Sequence, residues 1–146
     1  KSYSSPEYGF TINFPGFPEI ERKSIPVGDY NIPYALYTKS ITDNDVYMVG
    51  VFDYTSVTTD KSQLSLEGAM NGNIQNIPGA VLVDSQNTSV DGNEAIYSHF
   101  TAPIEGTTYD GYMTVIMGKT AKMFMVETIG APKLDYEKFV DSFSLN

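Results

Sequence analysis

The sequence predicts an α+β domain, with antiparallel strands joined by tight turns and helices packed on the sheet. Three observations predict it. Strand-like runs recur between turn signals such as Pro15-Gly16, Asp91-Gly92 and Pro103 through Gly106. Leu66, Met70, Ile74 and Ile77 are spaced four, four and three apart, which is helical rather than strand period. Tyr136, Phe139, Val140 and Phe143 form a second helical stripe near the end.

The elements follow in order. Residues 9–14 form a short strand that Pro15-Gly16 ends, and Phe17-Pro18 extends the break. Residues 19–27 form a second strand. Its charges at Glu19, Glu21, Arg22 and Lys23 and its Pro26 suit an edge, since proline donates no ladder hydrogen bond. Residues 32–55 read as a hairpin with arms 33–41 and 46–54 and a polar tip from Thr42 to Asp45. In the second arm Val46, Met48, Phe52 and Tyr54 share one face and Tyr47, Val49 and Val51 the other. A strand apolar on both faces is central and covered on both sides.

A polar break at 58–62 leads into the first helix, which Pro78-Gly79 stops. Gly68 and Gly72 each cost that helix about 1 kcal/mol relative to alanine, so it depends on docking its apolar stripe. Residues 80–90 and 94–102 are strands around Asp91-Gly92, a type I′ turn signal. Pro103 to Gly106 turns the chain, and residues 107–117 and 121–129 make the last hairpin. Pro132 breaks it, and Asp135 is placed to cap the final helix.

The chain of 146 residues suits one domain, 1–146, with residues 1–7 a polar stub. A chain this long buries roughly 68–70% of its unfolded surface, enough for a core without metal or disulfide. Lys and Arg number 9 against 18 Asp and Glu, a formal net charge of -9. That balance argues against nucleic acid and anionic membranes, both of which select basic patches. With no cysteine, thiol nucleophiles, disulfides and cysteine-based metal centres are excluded. No apolar run approaches the roughly 18 residues of a membrane span, so membrane contact is expected only through a lipid anchor outside this chain.

Several motifs invite chemistry. Gly118-Lys119-Thr120 resembles the end of a phosphate-binding loop, but that loop needs a glycine at position 113, where Met113 stands, and a helix after it. The following residues alternate like a strand, so Gly118-Lys119 reads as a hairpin tip. Met113, Met117, Met123 and Met125 fall on one sheet face as core filling under the helices. His99 is the only histidine and has no nucleophile elbow beside it, which favours a hydrogen-bonded structural role. Asp43, Asn44 and Asp45 fail the calcium-loop spacing and read as a solvated tip. Asp84, Asp91, Glu94, Glu105 and Asp110 offer carboxylates from which a hydrolytic pair would have to come. Asn87-Thr88-Ser89 fits the N-glycosylation pattern. Tyrosines from Tyr3 to Tyr54 crowd the first third, as half-buried sheet positions or a groove lining.

Three stretches together resemble a known family. They are Tyr8-Gly9-Phe10-Thr11-Ile12-Asn13-Phe14-Pro15, the turn Val90-Asp91-Gly92-Asn93-Glu94-Ala95 after the middle helix, and the ending Tyr136-Glu137-Lys138-Phe139-Val140-Asp141-Ser142-Phe143-Ser144-Leu145, with its Phe-x-x-Ser-Phe the most suggestive piece. In element order the chain resembles the PsbP-like domain of the Mog/PsbP superfamily, including small bacterial lipoproteins. The resemblance implies an α-β-α sandwich around a mainly antiparallel sheet of about six to seven strands, with two main helices. Its members include a photosystem II extrinsic subunit, a Ran-binding nuclear-transport factor and exported, lipid-anchored proteins, so it transfers no single activity. No catalytic, cofactor-binding or metal-binding residue is assigned and no cofactor is expected. The expectation is a non-catalytic, exported or surface-anchored domain whose partner is another protein. The alternatives are a small-ligand module with a Tyr/Met-lined pocket and a hydrolase using paired carboxylates.

Overall fold

The computed structural model describes residues 1–146, the side chain of Val27 excepted. The chain runs β1 (Ser2–Ser5), β2 (Phe10–Asn13), β3 (Glu19–Val27), β4 (Tyr30–Thr42), β5 (Asp45–Asp53), α1 (Leu66–Gln75), β6 (Val81–Val90), β7 (Asn93–Ile104), β8 (Thr107–Met117), β9 (Lys122–Ile129), α2 (Lys133–Asp141) and β10 (Ser144–Leu145). The main sheet has seven strands in the order β3-β4-β5-β9-β8-β7-β6, and each neighbouring pair is antiparallel. Two runs of hairpins, β3 to β5 and β6 to β9, meet where β5 pairs with β9. The crossover between them carries α1.

Alternation along the strands sorts the core into two layers. On one face Tyr37, Tyr47, Val49, Val51, Phe124 and Val126 pack against α2 and against β2. Phe10 meets Tyr37 edge-on at 5.1 Å and Phe14 meets Phe139 at 5.2 Å, the tilted geometry that aromatic quadrupoles favour. On the other face Met113, Val115, Met117, Met123 and Met125 lie under Met70 and Ile74 of α1. Ser65 caps α1 by accepting from the Gly68 N–H at 2.9 Å.

Three expectations need correction. Residues 1–7 are no stub. Ser2–Ser5 pair with β2, Tyr3 packs against Phe10 and Phe14, and the buried Ser5 hydroxyl bonds the Tyr37 hydroxyl at 3.1 Å. With β10 these strands form a separate three-stranded sheet beside α2, because Phe10, Ile12 and Phe14 gain more burial on the main sheet's face than at its edge. Asp135 does not cap α2. The helix starts behind Pro132, with no side-chain cap, and Asp135 sits in its first turn, where a carboxylate still meets the positive end of the dipole. Pro103 lies inside β7 rather than in the turn. It is tolerated because β6 begins opposite Thr101, so no neighbouring strand needs the missing N–H.

Candidate functional site

The motifs singled out in the sequence are mostly absorbed by the fold. Gly118 closes the β8–β9 hairpin, its N–H donating to the Lys122 carbonyl at 2.8 Å, and a strand follows where a phosphate loop needs a helix. The four strand methionines are buried under α1. His99 exchanges a 2.9 Å hydrogen bond with Asp110 and stacks on Tyr112 at 4.8 Å. At the β4–β5 tip, Asn44 accepts from the Tyr109 hydroxyl at 2.9 Å. Gly130, at φ 88, lies so close to the Asn44 carbonyl that a Cβ there would overlap it. The tip is therefore docked against the end of β9.

Of the five carboxylates, Asp84 and Asp110 flank His99, Asp84 as its cross-strand neighbour on β6 and Asp110 through the hydrogen bond, and the other three lie apart from them. Asp91 and Glu94 lie at one end of β7 and Glu105 beyond the other, roughly 35 Å away along a twelve-residue strand. Asp91 accepts from the Leu145 N–H at 3.0 Å, and Asp110 is held by His99. Among the described residues no group of three or more His, Cys, Asp or Glu side chains is placed to hold a metal ion.

Glu127 was not singled out by sequence reasoning. It is 4% exposed, at the middle of β9, between Met48 on β5 and Met113 on β8. Its Oε2 has no hydrogen-bond partner. Burial pushes its carboxyl up to about 8, and Tyr34 is pushed to about 12, by burial first and then by Glu127. The available signal was the alternation Met123, Met125, Glu127, which puts the carboxylate on the face of the methionines.

The α1 layer leaves a groove of about 370 Å³ against β3–β5, lined by Ile25, Ile32, Phe52, Tyr54, Gly68 and Gly72. A Cβ on Gly72 would meet nothing within 4 Å. Glu127 is not among the residues that line it.

The main sheet's two edges differ. β3 carries Glu19, Glu21, Arg22, Lys23 and Pro26, with ion pairs Lys23–Glu21 at 2.9 Å and Arg22–Glu7 at 2.8 Å. Such charges and prolines block edge-to-edge pairing. β6 reads Val-Leu-Val-Asp-Ser-Gln-Asn-Thr-Ser-Val, with one charge, no lysine and no proline, and every residue from Val81 to Ser89 is exposed. A register shift between Leu82 and Asp84 kinks its start.

The hairpin turn fixes which backbone groups are free. Asp91 and Gly92, at φ 50 and 76, make a two-residue turn, so Val90 and Asn93 exchange both ladder hydrogen bonds. Thr88 and Gln86 then also face β7. Ser85, Asn87 and Ser89 point their N–H and C=O groups outward. A groove flanks β6 on each sheet face. One of about 290 Å³ runs beside α2, past Gln86, Thr88, Tyr97 and Glu137. One of about 570 Å³ runs past Asn87, Glu94 and Lys61 on the α1 side. β6 thus offers unpaired backbone between two side-chain grooves.

No protein-family model and no curated protein matches the sequence. Solved structures do match the fold. Cyanobacterial PsbP (CyanoP) from Synechocystis aligns over 100% of this chain and 92% of its own, with a TM-score of 0.68 at 12% identity. LpqN of Mycobacterium tuberculosis, described as involved in cell envelope biogenesis, aligns over 99% of this chain and 98% of its own, with a TM-score of 0.53 at 14% identity. A Bacteroides thetaiotaomicron protein aligns over 100% of this chain but 48% of its own, with a TM-score of 0.57 at 15% identity. Two helices on a seven-stranded antiparallel sheet, with the small sheet beside α2, give this chain a PsbP-like fold.

Proposed function

We propose that the domain is a non-catalytic, extracytoplasmic interaction module that binds another protein along the β6 edge. The observation that carries this reading is the contrast between the two edges. β3 is guarded by charges and a proline, while β6 exposes nine residues with an open row of backbone groups. An extended segment that adds to such an edge gains main-chain hydrogen bonds for affinity and side-chain grooves for specificity. His99 and its neighbours Asp84 and Asp110 line none of the grooves described and have no nucleophile elbow beside them, which favours binding over catalysis. Export is supported by the envelope setting of LpqN, whose fold this chain shares. A signal sequence read upstream in the gene tests the export part.

The interaction part is tested by capture from native extract with the domain as bait, in its natural form and as Asn87→Pro. Proline there removes an outward N–H and leaves the β6–β7 ladder intact. The expected result is one saturable partner, retained by the natural bait and lost from a variant whose circular dichroism is unchanged. Equal capture by both folded baits, or capture by neither, contradicts the reading.

A second reading, binding of a small apolar ligand, is favoured by the α1 groove and by the two glycines facing it. A ligand-dependent rise in melting temperature across a metabolite panel, lost when Gly72→Leu fills the groove, supports it. An unchanged melting temperature across the panel removes it.

A further inference from the structure

We infer that the segment docking on β6 is extended and basic, with lysine or arginine at alternate positions. This rests on the edge-binding reading above and names the chemistry of the partner. In an added strand, successive side chains point to opposite sheet faces, so they enter the two flanking grooves in turn. Alternate residues therefore all enter one groove, and the carboxylates gather on the α2 side. Asp84 on β6 and Glu137 on α2 stand by the α2-side groove, close enough that both act on the Tyr97 phenol after its burial and Tyr112 do. Asp141 lines the same groove. The α1-side groove balances Glu94 against Lys61, whose ammonium keeps its charge while donating to the Gly118 carbonyl at 3.2 Å, so the basic positions are those that face α2. Lys133 is the one cation lining the α2-side groove.

The charge of the whole chain agrees, since -9 attracts a cationic segment from a distance and speeds its encounter. The same charge disfavours a second copy of this chain. Two copies would each bring a net negative charge to the pairing, which opposes it.

The experiment uses three ten-residue peptides with the same alternating valine and threonine frame. One carries lysine at alternate positions, one glutamate and one no charge. Binding is read by fluorescence anisotropy at low and moderate salt, and by amide exchange along β6. The lysine peptide is expected to bind at least about tenfold more tightly than either other peptide, to weaken with salt, and to protect the Ser85, Asn87 and Ser89 amides. The double variant Asp84→Lys with Glu137→Lys is expected to reverse the preference while keeping the edge. Asn87→Pro is expected to abolish binding of every peptide. Equal binding of all three peptides overturns the charge inference and leaves the edge reading standing. Lysine-peptide binding that survives Asn87→Pro, binding of no peptide, or a dimer of the domain itself in light scattering overturns both.

Discussion

Glu127 is where residue-level chemistry is most exposed to test. A carboxyl among methionines, 4% exposed and with its Oε2 unpartnered, is pushed toward its neutral form because burial strips water from the charged one. Its folded pKa of about 8 exceeds the ordinary 4.5, so the folded chain binds a proton more tightly than the unfolded chain. Stability from this group is therefore full below about pH 4.5 and is lost progressively as pH rises through about 8. At pH 7 the loss is about 3 kcal/mol by that linkage. Glu127→Met is expected to stabilise the domain by about 1–4 kcal/mol at pH 8 and to flatten its stability between pH 5 and 8. Urea melts of both proteins across that range check it. An unchanged slope would mean that Glu127 is hydrated or paired in solution. This residue was the least legible in the sequence, because one glutamate in a strand looks the same whether its face is covered or wet. Coverage is decided by α1 and by neighbouring strands distant in sequence.

At the scale of elements, the hairpins and both helices were legible. Turn chemistry at Asp91-Gly92 and the four-four-three spacing of α1 are local properties and survive folding unchanged. The small sheet was not legible. Ser2–Ser5 is polar and short, and only pairing with β2 makes it a strand. The edge status of β6 was equally hidden. Its run of polar residues fits an exposed strand, but which strands end the sheet depends on β5 meeting β9 across the α1 crossover. Within α1, Gly72 has open space around its missing Cβ, so nothing in the packing requires glycine there. Gly72→Ala is expected to raise stability by about 0.5–1 kcal/mol in thermal melts, from helix propensity alone. A loss of stability would show that the helix surface moves against the groove wall.

For the whole molecule, one face of the sheet is closed by aromatics, α2 and the small sheet, and the other by methionines and α1. One edge is guarded and one is open. On the proposed reading that asymmetry discourages pairing along β3 and leaves β6 to accept a strand. Gly118-Lys119-Thr120 is a hairpin tip and His99 a hydrogen-bonded strand residue, and the proposed recognition uses the backbone of β6, whose one sequence motif is the Asn87-Thr88-Ser89 pattern. The measurement that tests this most directly is residue-resolved amide exchange of the domain, free and with its captured partner. Slowed exchange at Ser85, Asn87 and Ser89, with the already bonded Gln86 and Thr88 little changed, is the predicted result. Unchanged exchange along β6, with protection instead on β3 or over the α1 groove, would contradict it.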